Sequence, residues 1–259
     1  MTLSLAGQNV AITGAARGIG RAIARSFLDA GADVLAIDRT PEALVELQGE
    51  VPGRIEVLAV DVADYPALRE AVSGRPVDHL VCAAAVGSGK TGFPFWNLDP
   101  TEWGKVLDVT LMGVVHTVHA FVPALLAGET SRKSVLLLSS VAGQIGSQTD
   151  PPYSAAKAAV INFAQLAAKD FAPHGIRVNA LSPGMVKTEL NHTVFTASKE
   201  ASTMSYEAWA DEKIRRVSPL GRWQEASEFG AMAVFLASDA CRNLTGQTIN
   251  VDGGQVMHS

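Results

Sequence analysis

Near its start the chain places a glycine-rich loop between two short apolar segments. Gln8–Ile12 is predicted to be a strand, and it leads directly into the loop Thr13–Gly20, with the sequence TGAARGIG. From Arg21 the apolar spacing becomes helical, and a second apolar segment, Asp33–Ile37, ends on Asp38. A strand, a glycine loop, a helix and a second strand that ends on an acid predict a parallel βαβ unit.

This unit is typical of a dinucleotide-binding site. Three glycines would let the backbone approach a pyrophosphate, and the helix N-terminus offers free N–H groups: Gly14, Gly18 and Gly20. A carboxylate at Asp38 can accept hydrogen bonds from ribose hydroxyls and would repel a 2′-phosphate, so NAD is the favoured cofactor. Arg39, or Arg17 if it is directed at the ribose, could pair with such a phosphate, which leaves NADP as the less favoured alternative.

Strands and helices alternate along the rest of the chain. The further predicted strands are Ile55–Val60, Asp78–Cys82, Val135–Leu138, Arg177–Leu181 and Gln247–Val251. The alternation predicts an α/β fold, a single-domain Rossmann-type doubly wound parallel sheet over residues 1–259 with helices on both faces. A polar stretch with little periodicity, about 188–216, is predicted to be a substrate lid. Asp61, at a strand end, could cap a turn or contact an adenine amine.

The segment Ser139–Lys157 carries the candidate chemistry. It begins where an apolar strand gives way to two serines and ends on Tyr-Ser-Ala-Ala-Lys. Tyr153 and Lys157 are four positions apart and would share one face of a helix, so the ammonium is expected to lower the pKa of the tyrosine. Such a tyrosine can act as a general base on an alcohol, or as the acid in reverse. Ser140, at the mouth of the strand, could hydrogen-bond the reacting oxygen.

Composition narrows the class of protein. The net charge of −5 argues against a nucleic-acid partner, and no apolar run is long enough to predict a membrane span. Two cysteines, Cys82 and Cys241, are predicted to be free thiols of a reducing compartment, which favours a cytoplasmic location. His116 and His119 could be a metal pair, but no third ligand is evident, so packing or an interface is favoured and no metal is predicted.

Together these motifs resemble the short-chain dehydrogenase/reductase family over nearly the whole chain. The family's cofactor loop, Thr-Gly-x-x-x-Gly-x-Gly, corresponds to Thr13–Gly20. Its active-site serine followed by Tyr-x-x-x-Lys corresponds to Ser140, Tyr153 and Lys157. The family's Asn, Pro-Gly and Thr at and after the sixth strand correspond to Asn179, Pro183, Gly184 and Thr188.

The resemblance implies a mechanism and a set of cofactor contacts. Tyr153 would take the alcohol proton while hydride passes to the nicotinamide, Lys157 would tune the tyrosine and hold the nicotinamide ribose, and Ser140 would orient the substrate. The implied cofactor-binding residues are Gly14, Arg17, Gly18, Ile19, Gly20, Asp38, Asp61, Val62, Ala84, Lys157, Pro183, Gly184, Val186 and Thr188. The family also implies a homotetramer formed through the long helices.

Two positions depart from the family pattern. Where the family has Asn-Asn-Ala-Gly after the fourth strand, this chain has Cys82-Ala83-Ala84-Ala85. Where the family has a catalytic Asn in the long helix, this chain has Thr110. We expect the threonine hydroxyl to replace the asparagine in the proton relay by holding a water at a shifted position.

The polarity of the segments that should border the pocket indicates the substrate. Gln144, Gln148, Asp150, Asn191 and His192 suit a polyol or sugar better than a long acyl chain. The sequence therefore predicts an NAD-dependent oxidoreductase that interconverts a secondary alcohol and a ketone of a small polar molecule. One alternative is a 3-oxoacyl reductase that uses NADPH. Another is a catalytically silent NAD-binding scaffold, since the family Asn is missing.

Overall fold

One parallel sheet organises the computed structural model, which describes residues 3–51, 54–89, 95–127, 132–146, 150–186, 192, 195–196 and 198–257. The sheet of the described residues has seven strands in the order β3-β2-β1-β4-β5-β6-β7, all parallel. The strands are β1 Asn9–Thr13, β2 Asp33–Asp38, β3 Ile55–Ala59, β4 His79–Cys82, β5 Ser134–Leu138, β6 Arg177–Pro183 and β7 Thr248–Val251. The predicted doubly wound α/β fold is confirmed, whereas the assignment of the whole chain to one domain stays a prediction.

Helices cover both faces of the sheet. They are α1 Gly18–Asp29, α2 Pro41–Glu50, α3 Tyr65–Val72, α4 Trp103–Leu107, α5 Gly113–Leu126, α6 Pro151–Phe171, α7 Tyr206–Val217 and α8 Ala226–Ala237. One buried core lies between the sheet and α1, α2 and α8, and a second lies between the sheet and α3, α5 and α6. Strands buried on both faces are apolar almost without interruption, as β5 with the sequence SVLLL illustrates.

The strand order reverses beside β1, which pairs with β2 on one side and β4 on the other. Thr13 at its end faces Ile37 in β2 and Cys82 in β4. Chain connections leave these strands toward opposite faces, so a crevice opens at the carboxyl ends of β1 and β4. The predicted site residues follow strands that end at this same edge.

The helix predicted from about residue 101 to Leu126 is not regular. A π-helical turn, Asp108–Met112, separates α4 from α5. The described helical stretch Pro100–Leu126 is long and apolar enough to cross a membrane, with a mean hydropathy of 1.7, which qualifies the expectation that no apolar run has that length. Half of its apolar 18-residue window is buried within the fold, as in the core helix of a folded domain.

The predicted lid contains a helix that its polar composition concealed. Helix α7, Tyr206–Val217, begins at Ser205, whose hydroxyl accepts a hydrogen bond from the Ala208 amide at 3.3 Å. It buries Ala210 and Ile214 together with Trp223. The first part of the predicted lid, including Thr188 and Asn191, lies outside the described residues.

Candidate active site

Asp150 begins the helix that carries the predicted acid–base residues. Its Oδ1 accepts a hydrogen bond from the backbone N–H of Tyr153 at 3.3 Å, and Pro151 and Pro152 open α6. Proline suits the first turn because its missing N–H would have no helical partner there. The cap fixes the start of α6, so Tyr153 lies in the first turn and Lys157 one turn later.

Ser139 and Gly143 hold the turn after β5 against α6. The Ser139 hydroxyl donates to the backbone carbonyl of Lys157 at 2.9 Å. A Cβ at Gly143 would lie 2.6 Å from the carbonyl carbon of Lys157, so only glycine permits this approach. Ser140 lies between these two contacts, and its side chain is hydrogen-bonded to that of Tyr153. The structure thus brings the predicted Ser140 and Tyr153 together.

Tyr153 differs from expectation in its acidity. Burial raises the pKa of Tyr153 to about 12, the Ser140 hydrogen bond acts in the opposite direction, and the Asp150 charge raises it further. The expectation that Lys157 lowers this pKa is therefore wrong for this structure, because desolvation of the phenolate outweighs the favourable interactions.

Lys157 is directed at the strand rather than at the tyrosine hydroxyl. It is 2% exposed, and its Nζ donates a hydrogen bond to the backbone carbonyl of Leu138. The Nζ lies 5.5 Å from the centroid of the Tyr153 ring. Burial lowers the pKa of Lys157 to about 7, although its electrostatic interaction with Cys82 acts in the opposite direction. A lysine that titrates near neutrality can hold or release a proton at Nζ beside the candidate acid–base group.

Thr110 lies in the π-helical turn and is fully buried. Its hydroxyl accepts a hydrogen bond from the Val86 N–H at 3.0 Å and donates one to the Val86 carbonyl at 2.9 Å. Since a hydroxyl has a single proton to donate, Thr110 cannot also donate to a relay water in this arrangement. The hydroxyl is thus engaged by the backbone of the segment after β4, and its role toward a relay water stays a prediction.

The glycine loop has the close backbone packing and the open space that a bound dinucleotide requires. A Cβ at Gly14 would lie 2.6 Å from the backbone nitrogen of Ala84, and one at Gly20 would overlap the Gly14 carbonyl. Gly18 has a φ of +57°, and a Cβ added to it would have no atom within 4 Å. Ile19 follows in the first turn of α1. Arg17 is exposed and makes no side-chain cap, so the first N–H groups of α1 have no side-chain acceptor at the cap position. This arrangement suits an anionic group over the loop.

Asp38 and Asp61 lie at the ends of neighbouring strands. The Asp38 carboxylate accepts hydrogen bonds from the Ala16 N–H at 3.2 Å and the Thr40 N–H at 3.1 Å, so it is fixed beside the glycine loop. The Arg39 guanidinium lies 3.9 Å from the Asp61 carboxylate, and both side chains are partly exposed. Their interaction directs the guanidinium of Arg39 toward Asp61.

Val62 is held from helix α5. Its carbonyl accepts a hydrogen bond from His116 Nδ1 at 2.9 Å, and a Cβ at Gly113 would lie 2.6 Å from Val62 Cγ2. His119 Nδ1 bonds instead to the Tyr65 hydroxyl at 2.6 Å. The two histidines therefore contact separate partners, and within the described part of the chain no group of three or more potential ligands could hold a metal ion.

The residues after β6 pack against β7. A Cβ at Gly184 would lie 2.6 Å from the Cα of Asp252, and the Gly184 N–H donates to the Val251 carbonyl at 3.1 Å. Pro183 ends β6, and Val186 is buried and forms a parallel bridge with Gln224. Val186 and Thr188 are the residues expected to bond the carboxamide. Val186 is thus fixed beside Gln224, whereas Thr188 lies outside the described residues.

The residues predicted to touch substrate have mixed placements. The Gln144 amide donates to Asn250 Oδ1 at 2.7 Å and accepts from Asn250 Nδ2 at 2.8 Å, so both ends of the amide are engaged with β7. His192 is exposed and its ring lies 4.9 Å from that of Tyr206. Gln148 and Asn191 lie outside the described residues. A substrate contact from any of these residues stays a prediction.

Two features of the structure have no counterpart in the predicted catalytic set. Asp150 was expected only to border the pocket, yet its carboxylate joins α6 to Ser88 in the segment after β4. The Asp-Pro-Pro signal of a capped helix predicts the cap but not the distant partner. The aromatic group Phe195, Tyr206 and Trp209 packs with ring centroids 5.4–5.9 Å apart around α7. Only two of these rings, Tyr206 and Trp209, lie on α7, which is too few for the apolar spacing to predict a helix.

A hydrogen-bonded serine and tyrosine, with a buried lysine one turn away and a glycine loop at the same sheet edge, are typical of nicotinamide-dependent oxidoreductases. Comparison with known proteins supports this class. A family model described as enoyl-(acyl carrier protein) reductase matches residues 14–256. L-xylulose reductase of Bos taurus is 34% identical over 255 residues, which cover 98% of each chain.

Two further comparisons cover the chain equally well. Galactitol 2-dehydrogenase (L-tagatose-forming) of Cereibacter sphaeroides is 34% identical over 257 residues, 96% of this chain and 95% of that protein. A 3-oxoacyl-[acyl-carrier protein] reductase of Brucella melitensis, solved with bound NAD, superposes with a TM-score of 0.83 at 33% identity, covering 99% of this chain and 95% of that one. The chain belongs to the short-chain dehydrogenase/reductase family and is an oxidoreductase that acts on CH–OH groups.

Proposed function

We propose that this protein interconverts a secondary alcohol and a ketone of a small polyol or sugar, with NAD as the hydride carrier. The observation that carries the proposal is the hydrogen-bonded pair of Ser140 and Tyr153, with Lys157 buried one turn further along α6. This set lies at the sheet edge where the glycine loop and Asp38 provide a fit for a dinucleotide. When bound, the nicotinamide supplies the hydride acceptor or donor.

The chain's own groups supply position and proton transfer. In the oxidation direction Tyr153 would accept the alcohol proton at its hydroxyl oxygen, and Ser140 would hold the same substrate oxygen by a hydrogen bond. With its pKa raised to about 12, Tyr153 is protonated at neutral pH, so this structure favours its acid form. That form is the one required to donate a proton to a ketone oxygen in the reduction direction.

The remaining contacts would fix the cofactor. The loop at Gly18 and Ile19 would hold the pyrophosphate at the N-terminus of α1, and Val62 would border the adenine. Lys157 would hold the nicotinamide ribose, and Val186 would bond the carboxamide. Each of these roles follows the family pattern onto a matching position of this sequence.

NAD is the proposed cofactor because of the charges at the end of β2. Asp38 is anchored by two backbone N–H groups, so its carboxylate cannot move away easily from an incoming 2′-phosphate. Arg39, which could have neutralised that phosphate, lies instead beside Asp61. NADP would need both groups to rearrange.

A polyol or sugar is the proposed substrate class. The relatives named L-xylulose reductase and galactitol 2-dehydrogenase act, by their names, on a ketosugar and a polyol. Polar groups meet at the start of α6, where the Asp150 carboxylate accepts a hydrogen bond from the Ser88 N–H. The Brucella neighbour favours the second candidate, a 3-oxoacyl reductase.

The test is reduced-cofactor formation or consumption against matched panels of polyols, ketosugars and 3-oxoacyl thioesters, each with NAD and NADP. We expect the highest kcat/KM for a polyol–ketosugar pair with NAD. A higher kcat/KM for the 3-oxoacyl thioester with NADPH would replace the proposal by its alternative. Absence of turnover with every panel member, together with tight NAD binding, would favour the silent scaffold.

We also propose a cytoplasmic homotetramer. Large apolar side chains on the long helices are partly exposed: Met112 at 39%, Leu126 at 45% and Leu166 at 52%. Burying them against further copies would stabilise an assembly. Both cysteines are buried and free, which suits a reducing compartment. Light scattering of the purified protein measures the mass, and a monomer would contradict the assembly.

A further inference from the structure

The segment Val86–Ser88, which follows β4, is held from two sides. On one side, the Thr110 hydroxyl brackets the backbone of Val86. On the other side, Oδ2 of Asp150 accepts a hydrogen bond from the Ser88 N–H at 2.7 Å. Since Oδ1 of the same carboxylate caps Tyr153, one side chain joins the segment directly to the first turn of α6.

Gly87 permits this close approach. A Cβ at Gly87 would lie 2.7 Å from Oδ2 of Asp150, so a side chain here would displace the carboxylate. The Ser88 side chain makes a further hydrogen bond with Asp150. Each oxygen of the carboxylate therefore has a backbone N–H partner on a different element.

We propose that Asp150 is a positioning residue that fixes the segment Val86–Ser88 beside the Tyr153 hydroxyl, where the segment forms one wall of the alcohol-binding site. The inference rests on the proposed function of Tyr153. The two oxygens of the carboxylate set the distance between the wall and the acid–base group. The substrate thus meets a rigid surface rather than a free loop.

The charge of Asp150 gives the same residue an electrostatic effect. The groups that face Tyr153 are Asp150 and Lys157 on its own helix and Ser140 from the turn after β5, while Cys82 from β4 faces Lys157. Among these, Asp150 raises the pKa of Tyr153 because a carboxylate disfavours a nearby phenolate. Burial in turn raises the pKa of Asp150 itself, against the hydrogen bonds from Ser88 and Tyr153.

The decisive variant is Asp150→Asn. Asparagine has one acceptor oxygen, so it can keep the cap on Tyr153 but turns an NH₂ group toward the Ser88 N–H. We expect the KM for the alcohol to rise about tenfold with a smaller change in kcat, since hydrogen bonds to charged groups have that order of strength. The alkaline limb of the kcat/KM profile for oxidation should move to lower pH, and the Kd for NAD should be unchanged.

Asp64→Asn is the matched control. The Asp64 side chain caps α3 by accepting the Ala67 N–H at 3.1 Å. Its backbone N–H donates to the Asp61 carbonyl, and the substitution leaves that backbone contact in place. It reports the cost of replacing a carboxylate cap by an amide. If Asp150→Asn loses only as much thermal stability as Asp64→Asn and keeps the wild-type KM and pH profile, the proposal is overturned.

Gly87→Ala tests the contact from the opposite side without changing the Asp150 side chain or its charge. Its added Cβ should displace the Asp150 carboxylate and raise the KM as Asp150→Asn does. Gly104→Ala, in α4 with open space around the added Cβ, is its control. Equal KM values for the two glycine variants would contradict the proposal even if Asp150→Asn fails to fold.

Hydrogen exchange separates this inference from the proposed function. Backbone amides of residues 86–88 should exchange at least several-fold faster in Asp150→Asn than in wild type. In Asp64→Asn their exchange rates should equal those of wild type. If the wild type shows no turnover but exchange is faster in Asp150→Asn, the proposed function is refuted and the positioning role of Asp150 is supported. Unchanged exchange at these amides would refute the positioning role, whatever the turnover.

Discussion

The hydroxyl of Thr110 and the backbone of Val86 form a closed pair of hydrogen bonds, 3.0 Å from the Val86 N–H and 2.9 Å to its carbonyl. Thr110 belongs to the π-helical turn between α4 and α5, so this pair ties that turn to the segment after β4. Where the family has an asparagine, this chain thus uses a shorter side chain for a direct backbone contact. The first prediction follows from this contact.

Thr110→Val should destabilise the protein by about 2 kcal/mol, because it keeps the shape and leaves the two partly buried backbone groups of Val86 without their partner. Turnover should fall as well, since the segment Val86–Ser88 loses one of its two attachments. Thermal unfolding and kcat are the measurements. Thr117→Val is the control: Thr117 is equally buried, and its hydroxyl donates only to the Gly113 carbonyl within α5. Equal losses in both variants would reduce Thr110 to an ordinary helix residue.

Tyr153→Phe should reduce turnover by about 10²–10⁴-fold while the Kd for NAD stays within a few-fold, because the ring remains and only the proton-transferring hydroxyl is lost. Steady-state kcat and a binding titration with NAD give the two quantities. Retention of more than a few per cent of wild-type turnover would remove Tyr153 from the acid–base role.

The two reaction directions should differ in their pH dependence. The pKa of Tyr153 is raised to about 12, so the phenolate that oxidation needs becomes more populated as the pH increases through the alkaline range. We expect kcat/KM for alcohol oxidation to rise with pH, and kcat/KM for ketone reduction to stay level while Tyr153 is protonated. An oxidation rate that levels off near neutrality would show that a bound ligand or Lys157 lowers this pKa.

Asp38→Ala should weaken NAD binding and narrow the difference between NAD and NADP. The variant removes the acceptor of the ribose hydroxyls together with the anion that repels a 2′-phosphate. Values of kcat/KM for both cofactors test this, with Asp33→Ala at the exposed start of the same strand as a control for charge. A wild-type preference for NADP would contradict the assignment directly.

His79 should make the stability of the fold depend on pH. Burial lowers the pKa of His79 from 6.5 to about 4, and its Nδ1 bonds to the Ser134 hydroxyl at 2.9 Å. The unfolded chain binds the proton more readily, so this contribution to stability is complete above pH 6.5 and is lost as the pH falls toward 4, a change of about 3 kcal/mol. Denaturant unfolding of wild type and His79→Asn across this range measures it. The exposed His174→Asn should keep the wild-type slope.

Local patterns were sufficient to predict the alternation of strands and helices along the chain, and the position of Ser140 just after β5 with Tyr153 and Lys157 on the following helix. The glycine loop, the buried strand β5 and the Asp-Pro-Pro start of α6 each lie within a short window of sequence. Parallel strands then bring their carboxyl ends together. Long-range contact was not required for any of these inferences.

Features that depend on tertiary contact were missed. The pKa of Tyr153 follows burial by the assembled fold, which the spacing to Lys157 does not report. The contact between Thr110, in the π-helical turn, and Val86 joins residues 24 positions apart, so no local pattern reports it. Helix α7 buries little beyond Ala210 and Ile214, so its apolar period is too weak to separate from a polar loop.

The central claim is that hydride moves between a substrate carbon and the nicotinamide at the site formed by Ser140 and Tyr153. The most direct measurement uses a polyol deuterated at the carbinol carbon with NAD, followed by mass analysis of the reduced cofactor. We predict that wild-type protein transfers one deuterium to the nicotinamide and that Tyr153→Phe transfers little under the same conditions. Reduced cofactor without deuterium, or equal transfer by Tyr153→Phe, would contradict the account.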